Sequence, residues 1–295
     1  MTTFTTLELG ETPLSWPDSY DGEQQMRMGF FTDTSVCIGC KACEVACKEW
    51  NEVPEDGLHF SGESFDNTGS LSANSWRHVA FIEQPTRIDG MQATDSDFRW
   101  LMSSDVCKHC THAACLDVCP TGALFRTEFG TVVVQQDVCN GCGYCVPACP
   151  FGVIGQRETD DLPEVENVPE LGTAHKCTLC YDRLKDGMEP ACAQACPTQS
   201  IQFGPLEELR ERARQRVERL HEQGVAEAEL YGESPDDGVG GFGAFFLLLD
   251  KPEVYGLPPD PIAPTRRLPE IWGSVLLAGA TLAGGVLAAV AVGRR

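Results

Sequence analysis

Several short stretches of the chain concentrate apolar side chains in ways typical of β-strands. Residues 76–82 and 98–102 are rich in β-branched and aromatic residues, and an Asp-Gly turn signal lies between them at 89–90. This combination predicts a β-hairpin. A short β-branched run covers 131–134, and a longer apolar run at 242–249 lies between Gly-rich and Pro-rich segments. Both runs predict further strands, and the second strand is expected to be buried.

Two other stretches have the pattern of helices. Residues 205–223 predict an amphipathic helix that begins near Pro205 and ends at Gly224. Its apolar positions recur at helical spacing: Leu206, Leu209, Ala213, Val217 and Leu220. The run from Ile271 to Val292 is uncharged, and about 20 apolar residues suffice to cross a bilayer as a helix. Trp272 at its start favours a transmembrane helix over a buried core helix.

The charge of the chain limits the classes of partner. The formal net charge is −22, and the acidic residues are spread along most of the sequence. No basic surface is therefore expected that could neutralise a phosphate backbone, which predicts that nucleic acid is not a partner. The first thirty residues lack both a basic start and an apolar stretch, so they do not resemble a signal peptide.

Sixteen cysteines, far above ordinary usage, fall into four groups separated by cysteine-free stretches. Groups one and three have the spacing Cys-x2-Cys-x2-Cys-x3-Cys, by which bacterial ferredoxins hold [4Fe–4S] clusters. Groups two and four keep the outer intervals and widen the central gap to four and eleven residues. The groups are Cys37, Cys40, Cys43 and Cys47; Cys107, Cys110, Cys115 and Cys119; Cys139, Cys142, Cys145 and Cys149; and Cys177, Cys180, Cys192 and Cys196.

The recurring triplets favour four [4Fe–4S] clusters over the other uses of cysteine. Zinc sites are the main alternative, but they usually draw two separated Cys-x2-Cys pairs. Disulfides between cysteines two or three residues apart are rarely well formed. A proline follows the last cysteine in groups two, three and four, as in the ferredoxin run, whereas group one has Lys48 there. The cofactors are therefore predicted to be four [4Fe–4S] clusters.

The pairing of the groups follows from their separation in the sequence. Groups two and three are joined by only nineteen residues, as a compact two-cluster ferredoxin requires, which leaves groups one and four to pair across that insertion. In two-cluster ferredoxins the fourth cysteine of each run ligates the other cluster. The predicted ligand sets are Cys37, Cys40, Cys43 and Cys196 for cluster 1; Cys47, Cys177, Cys180 and Cys192 for cluster 2; Cys107, Cys110, Cys115 and Cys149 for cluster 3; and Cys119, Cys139, Cys142 and Cys145 for cluster 4.

Three segments resemble the four-cluster iron–sulfur subunits of molybdenum or tungsten oxidoreductases, in particular the β subunits of respiratory formate dehydrogenases. They are GFFTDTSVCIGCKACEVACKEWN at 29–51, HKCTLCYDR at 175–183 and DKPEVYGLP at 250–258. Related nitrate reductase subunits replace one cysteine of group three by tryptophan, but Cys142 is present here. The resemblance therefore implies four complete clusters.

The resemblance implies an electron relay. Electrons would enter from a molybdenum- or tungsten-pterin catalytic subunit, with formate as the expected substrate, and would leave to a membrane cytochrome b or a quinone. It places cluster 1 nearest the catalytic subunit and cluster 4 nearest the membrane. The same relay in a sulfoxide, polysulfide or thiosulfate reductase is the main alternative, and a zinc-binding interaction protein is a distant one. No nucleotide fingerprint, phosphate loop or pterin-binding domain is recognisable, so no catalytic residues are predicted.

The expected fold class is α+β, with two nested ferredoxin-like 2[4Fe–4S] modules and one C-terminal transmembrane helix that contacts the lipid bilayer through Ile271 to Val292. Arginines flank this span on both sides, so charge leaves its orientation open. The resemblance implies a cell (inner) membrane location with the cluster domain on the outer, periplasmic side, the cytoplasmic side being the alternative. The expected divisions are an N-terminal arm (1–28), an outer module (29–103 and 151–204), an inner module (104–150), a packing segment (205–264) and a linker with the membrane helix (265–295).

Overall fold

The computed structural model describes residues 26–55, 62, 65–85, 98–157 and 170–293, so all but the end of the predicted N-terminal arm lies outside the described residues. Its strands are β1 (Met28–Asp33), β2 (Arg77–Pro85), β3 (Phe98–Val106), β4 (Leu124–Arg126), β5 (Val132–Val134), β6 (Gly155–Gln156), β7 (Ala174–His175), β8 (Ile201–Pro205), β9 (Glu229–Tyr231) and β10 (Ala244–Leu248). Its α-helices are α1 (Ala42–Trp50), α2 (Ala114–Asp117), α3 (Cys145–Ala148), α4 (Tyr181–Lys185), α5 (Ala191–Gln194), α6 (Leu206–Glu222) and α7 (Leu268–Gly293).

The largest sheet has the strand order β8-β1-β10-β9. Strand β1 pairs in parallel with β10, with Phe31 opposite Phe245, and antiparallel with β8. Strand β9 pairs antiparallel with β10. Parallel pairing requires a long connection between the two strands, and here the connection contains all four cysteine groups. The sheet therefore joins the beginning and the end of the cluster-bearing part of the chain.

The main core lies on this sheet. Every residue of β10 is buried, as the apolar run at 242–249 predicts. The rings of Phe31 and Phe245 stack with centroids 5.3 Å apart. Helix α6 packs on β1 through Leu206, Leu209 and Ala213, all of which are buried, and the Gly224 N–H donates to the carbonyl of His221 as the helix ends. The predicted amphipathic helix is thus found with its apolar side in the core.

The predicted hairpin forms from β2 and β3, which pair antiparallel from Arg77 opposite Val106 to Pro85 opposite Phe98. Its turn signal at 89–90 lies outside the described residues. Strand β2 packs against α1, where the Glu44 carboxylate accepts a hydrogen bond from the Val79 N–H. The hairpin thus forms one wall beside the first cysteine group.

The cysteine groups share buried surroundings rather than separate cores. Val106, Ala114 and Ala148 of the predicted inner module belong to the same buried cluster as Phe31 and the rest of the large sheet. A smaller apolar cluster surrounds β4 and β5, the short hairpin that joins groups two and three. The α+β character is evident from this mixture of helices and strands. The division into nested modules stays a prediction.

Helix α7 extends from the end of the cluster-bearing part of the chain. It covers the whole of the predicted span, and its large apolar side chains are exposed along its length, Leu276, Leu277 and Leu287 among them. Within the described residues it is the one helix whose length and composition would allow it to cross a membrane.

Candidate iron–sulfur cluster sites

The same backbone turn occurs in all four cysteine groups. The residue before the second cysteine has a positive φ in each group: Gly39 (65°), His109 (44°), Gly141 (72°) and Leu179 (58°). Glycine adopts this conformation without steric penalty, whereas His109 and Leu179 are held in it by the surrounding structure. Backbone N–H groups in such turns form concavities that bind anions, including iron–sulfur clusters. The four groups therefore share a left-handed residue before the second cysteine as well as the Cys-x2-Cys spacing with which each begins.

Quartet 1 consists of Cys37, Cys40, Cys43 and Cys196, which line one cavity. Cys43 lies on α1, which packs against α5, and Cys196 follows the end of α5. The Ser104 hydroxyl lies 3.2 Å from Cys43 Sγ. Three cysteines of group one and the last cysteine of group four thus face the same space, although much of the sequence separates them.

Quartet 2 consists of Cys47, Cys177, Cys180 and Cys192. The Asn51 Nδ2 group lies between two of them, 3.8 Å from Cys47 Sγ and 3.9 Å from Cys180 Sγ. Burial raises the pKa of Cys47, and the nearby thiols of Cys177, Cys192 and Cys180 raise it further. The last cysteine of group one therefore lies among the first three cysteines of group four.

Quartet 3 consists of Cys107, Cys110, Cys115 and Cys149, which line a second cavity. Burial raises the pKa of Cys110, and the other three thiols add to that rise. Helices α2 and α3 pack together here, and Cys149 is the residue that ends α3. The first three cysteines of group two are thus joined by the last cysteine of group three.

Quartet 4 consists of Cys119, Cys139, Cys142 and Cys145. Burial raises the pKa of Cys145 to about 11, and the thiols of Cys139, Cys142 and Cys119 contribute to the rise. The Gly141 carbonyl in this loop accepts a hydrogen bond of 2.7 Å from the side chain of Gln156. Cys142 is exposed, so quartet 4 lies closer to the surface than quartets 2 and 3.

Closely spaced thiols link the quartets to one another. In each of quartets 1, 2 and 3, one thiol has its pKa raised by a thiol of the following quartet. The linking pairs are Cys43 with Cys192, Cys177 with Cys107, and Cys115 with Cys145. These three links follow the order quartet 1, quartet 2, quartet 3, quartet 4, which is the row of quartets.

The donor set suits iron–sulfur clusters. All sixteen cysteines are free thiols, and burial raises the pKa of several of them, that of Cys115 to about 12. Crowded, buried thiols ionise only when a cation compensates them, which cluster iron does. Across the described ranges, no three His, Cys, Asp or Glu side chains converge on a position for a single metal ion. Quartets 1 and 3 each line a cavity, which fits a cube held by four thiolates.

Three buried cations beside the quartets were missed by the sequence reasoning. Lys108 and Lys176 line the cavity of quartet 3, and Arg77 lies near quartets 1 and 2. Lys108 pairs with Asp105, and the Lys176 ammonium donates to the Val132 carbonyl. Lys108 directly follows Cys107, and Lys176 directly precedes Cys177. Because cations are scarce in this acidic protein, two lysines next to predicted ligands could have suggested a role near the clusters.

Comparison with known proteins agrees with this chemistry. Two families described as 4Fe-4S dicluster domains match the sequence, over residues 98–206 and 36–123. The nitrate-inducible formate dehydrogenase iron–sulfur subunit of Escherichia coli (strain K12) is 39% identical over 249 residues, which cover 83% of this chain and 77% of that protein. This protein belongs to the family of formate dehydrogenase iron–sulfur subunits.

Two further relatives show how far the likeness extends. The formate dehydrogenase-O iron–sulfur subunit of the same organism is 37% identical over 294 residues, 96% of this chain and 88% of that protein. A component of its anaerobic dimethyl sulfoxide reductase is 36% identical over 184 residues, 62% of this chain and 76% of that protein. The predicted resemblance is confirmed. This iron–sulfur subunit is an electron-transfer subunit rather than a catalytic one, and it carries four [4Fe–4S] clusters.

Proposed function

We propose that each quartet binds one cluster through its four thiolates. Clusters 1 to 4 then have the ligands of quartets 1 to 4, and the last cysteine of each group serves the cluster of its partner group. The shared cavities of quartets 1 and 3 support this assignment, as do the neighbouring thiols that raise the pKa of Cys47 in quartet 2 and of Cys145 in quartet 4. It also supports an outer module of 29–103 with 151–204 around an inner module of 104–150.

The row of quartets suits a relay for electrons. Each bound cluster supplies a one-electron centre, with a potential somewhere between about −700 and +450 mV depending on its surroundings. The chain holds the four sites in one order, and its buried cations and hydrogen bonds set the surroundings of each site. Electrons would pass along the row from one end to the other.

The two ends of the row differ in their surroundings. The segment that leads into α7 contacts α2, beside quartets 3 and 4, where the Thr265 hydroxyl donates to the Asp117 carboxylate at 2.5 Å. Arg266 Nη1 lies 2.7 Å from His112 Nε2 in the same region. These contacts support a membrane-facing end at cluster 4, next to a cytochrome b or quinone partner. Cluster 1 is then the end nearest a molybdenum- or tungsten-pterin catalytic subunit.

Formate is the substrate that we propose for the catalytic partner. The observation that carries this choice is the extent of alignment, since the formate dehydrogenase-O subunit aligns with 96% of this chain. The relative from dimethyl sulfoxide reductase aligns with only 62% of it. Because of that second likeness, the alternative function is the same electron relay in a sulfoxide reductase or a related reductase.

We further propose that α7 anchors the protein in the cell membrane as a single span, with lipid around residues 271–292. The exposure of its apolar side chains in the isolated chain supports a covering by lipid or by a partner helix. The cluster-bearing part would lie on the periplasmic side.

The test is anaerobic purification of the full chain from membranes with its associated proteins, which mass spectrometry then identifies. Formate added to this complex should generate the paramagnetic resonance signals of reduced clusters. The chain purified alone should contain about sixteen irons, the sum of four cubes, and should be reduced by dithionite but not by formate.

Two results would overturn this assignment. Clusters that ignore formate but are rapidly reoxidised by dimethyl sulfoxide would favour the reductase. Zinc in place of iron in the anaerobically purified protein would remove the relay altogether. Protease protection of the cluster-bearing part in intact spheroplasts would contradict only the proposed periplasmic side.

A further inference from the structure

Arg77, the first residue of β2, places a guanidinium inside the protein beside quartets 1 and 2. Its side chain is among the largest that are fully buried. The Nη1 group donates to the Ser104 hydroxyl at 2.9 Å, and the same hydroxyl lies 3.2 Å from Cys43 Sγ of quartet 1. The Phe30 ring centroid lies 5.0 Å from the guanidinium carbon. Nη1 also donates to the Ser104 carbonyl at 3.4 Å, so the position of this cation is defined by packing and by two oxygens of Ser104.

This cation lacks the partner that a buried charge normally has. No aspartate or glutamate among the described residues forms a salt bridge with Arg77, whereas the buried Lys108 pairs with Asp105. Its Nε and Nη2 groups are buried without an oxygen or nitrogen partner within the same part of the protein. An unpaired buried charge is costly, so a compensating negative charge is expected close by.

The anions available to Arg77 are the thiolates of two different quartets. Although burial lowers the pKa of Arg77, the thiols of Cys192, Cys43, Cys177 and Cys47 raise it above its usual value. Helix α1, which carries Cys43 and Cys47, packs against both β2 and α5, and α5 carries Cys192. Arg77 thus lies between quartets 1 and 2, the two quartets that groups one and four form together.

We propose that Arg77 is a positioning residue that serves as the shared counter-ion of clusters 1 and 2 and raises the reduction potential of both. The inference rests on the proposed ligand sets. Reduction adds one electron to a cluster that four thiolates already make anionic, so a fixed positive charge and free N–H donors stabilise the reduced form more than the oxidised form. Because Arg77 is buried, salt screens its charge little.

Sharing one cation has a consequence for the relay. Removal of the charge should lower both potentials in the same direction, so the difference between clusters 1 and 2 changes less than either potential does. The thiols that act on Arg77 belong to quartets 1 and 2, and the cavity of quartet 3 has its own buried cations, Lys108 and Lys176, so clusters 3 and 4 should be affected little. A role limited to packing would move no potential selectively.

The experiment compares Arg77→Gln and Arg77→Lys with the native protein, after the iron content of each has been measured. Redox titration followed by paramagnetic resonance gives the ratio of reduced to oxidised form for each cluster. In Arg77→Gln this ratio, at a fixed solution potential, should fall at least tenfold for clusters 1 and 2, which is about 59 mV for a one-electron couple. Arg77→Lys keeps the charge and should stay within about threefold of native, or about 28 mV on the same scale.

A matched control is Arg210→Gln, because Arg210 is also buried but lies on α6 and pairs with Glu207. It should leave all four ratios unchanged. Native protein with fewer than four clusters would refute the ligand sets, whereas native protein with four clusters and no selective shift in Arg77→Gln would refute the role of Arg77 alone.

If the Arg77→Gln protein binds fewer than four clusters, the identity of the missing clusters tests the proposal. Loss of clusters 1 and 2 with retention of clusters 3 and 4, while Arg77→Lys keeps all four near their native potentials, supports a counter-ion. Loss of all four clusters, or a tenfold shift in a fully loaded Arg77→Lys protein, overturns the proposal. Equal shifts of all four potentials in Arg77→Gln also overturn it.

Discussion

Replacement of Cys47 by serine tests how the cysteine groups exchange ligands. Cys47 belongs to group one by sequence, but its neighbours are Cys177, Cys180 and Cys192 of group four. We therefore expect Cys47→Ser to damage the cluster of group four and to spare the cluster held by Cys37, Cys40 and Cys43. A sequential pairing of groups one and two predicts damage to the cluster of group two instead.

The expected loss is one cube of four. Complete loss of cluster 2 lowers the iron content from about sixteen to about twelve per chain, and a three-iron remnant would leave about fifteen. Quartet 1 keeps all four of its thiols, because the fourth of them is Cys196. In the proposed relay, cluster 2 lies between clusters 1 and 3, so electron transfer should be interrupted after cluster 1.

The assay combines iron analysis with redox-titrated paramagnetic resonance and two activities of the purified complex. Formate-dependent dye reduction at the catalytic subunit should persist, whereas quinone reduction should fall to background. Cys43→Ser is the matched control, because Cys43 lies one turn earlier on the same helix and faces quartet 1. It should remove the signal of cluster 1 and leave that of cluster 2.

The refuting result is specific. If Cys47→Ser extinguished the signal that Cys110→Ser also extinguishes, group one would pair with group two and the row of quartets would have another order. Loss of the same cluster in Cys43→Ser and Cys47→Ser would show that no exchange of fourth ligands takes place.

Three further predictions concern the loop geometry, the core and the anchor. A Cβ on Gly141 would lie 2.5 Å from the Gly172 carbonyl oxygen, so the Gly141→Ala protein should lose cluster 4 to a chelator faster than the native protein. Gly152→Ala is the control, because Gly152 has the same left-handed backbone but open space around the added Cβ. Equal rates of loss in the two variants would contradict this prediction. Phe31→Ala should lower the free energy of unfolding by about 3–5 kcal/mol in denaturant titrations, because the stacked ring is fully buried, and a loss below about 1 kcal/mol would contradict the packing. Removal of the residues from Leu268 onward should release a fully loaded cluster domain from membranes without detergent; retention in the membrane pellet would show that a partner holds it.

The sequence predicted the elements whose signals are local. The helix at α6 and the strand at β10 follow from the period and length of their apolar residues, and both are found. Strand β1 was not predicted, because Phe30 and Phe31 form too short an apolar run to show a period. Its burial depends on β8 and β10, which are distant in the sequence.

Cluster type and number were also decided by local sequence. Three closely spaced thiols on one loop suffice to specify a cube, and the positive φ before each second cysteine is a property of that same loop. The fourth ligand of each cluster could be inferred from the sequence only through the number of residues that separate the cysteine groups. Its position among the thiols of another group depends on the packing of α1 against α5 and of α2 against α3.

By itself, therefore, the sequence determined that this protein holds four cubes and that its last helix is apolar enough to span a membrane. Only the tertiary structure decided the place of Arg77 beside quartets 1 and 2 and the packing that brings the last cysteine of one group among the thiols of another. The physical reason is that ligand spacing acts over a few residues, whereas the surroundings of a buried charge are assembled from segments that meet only in the folded protein.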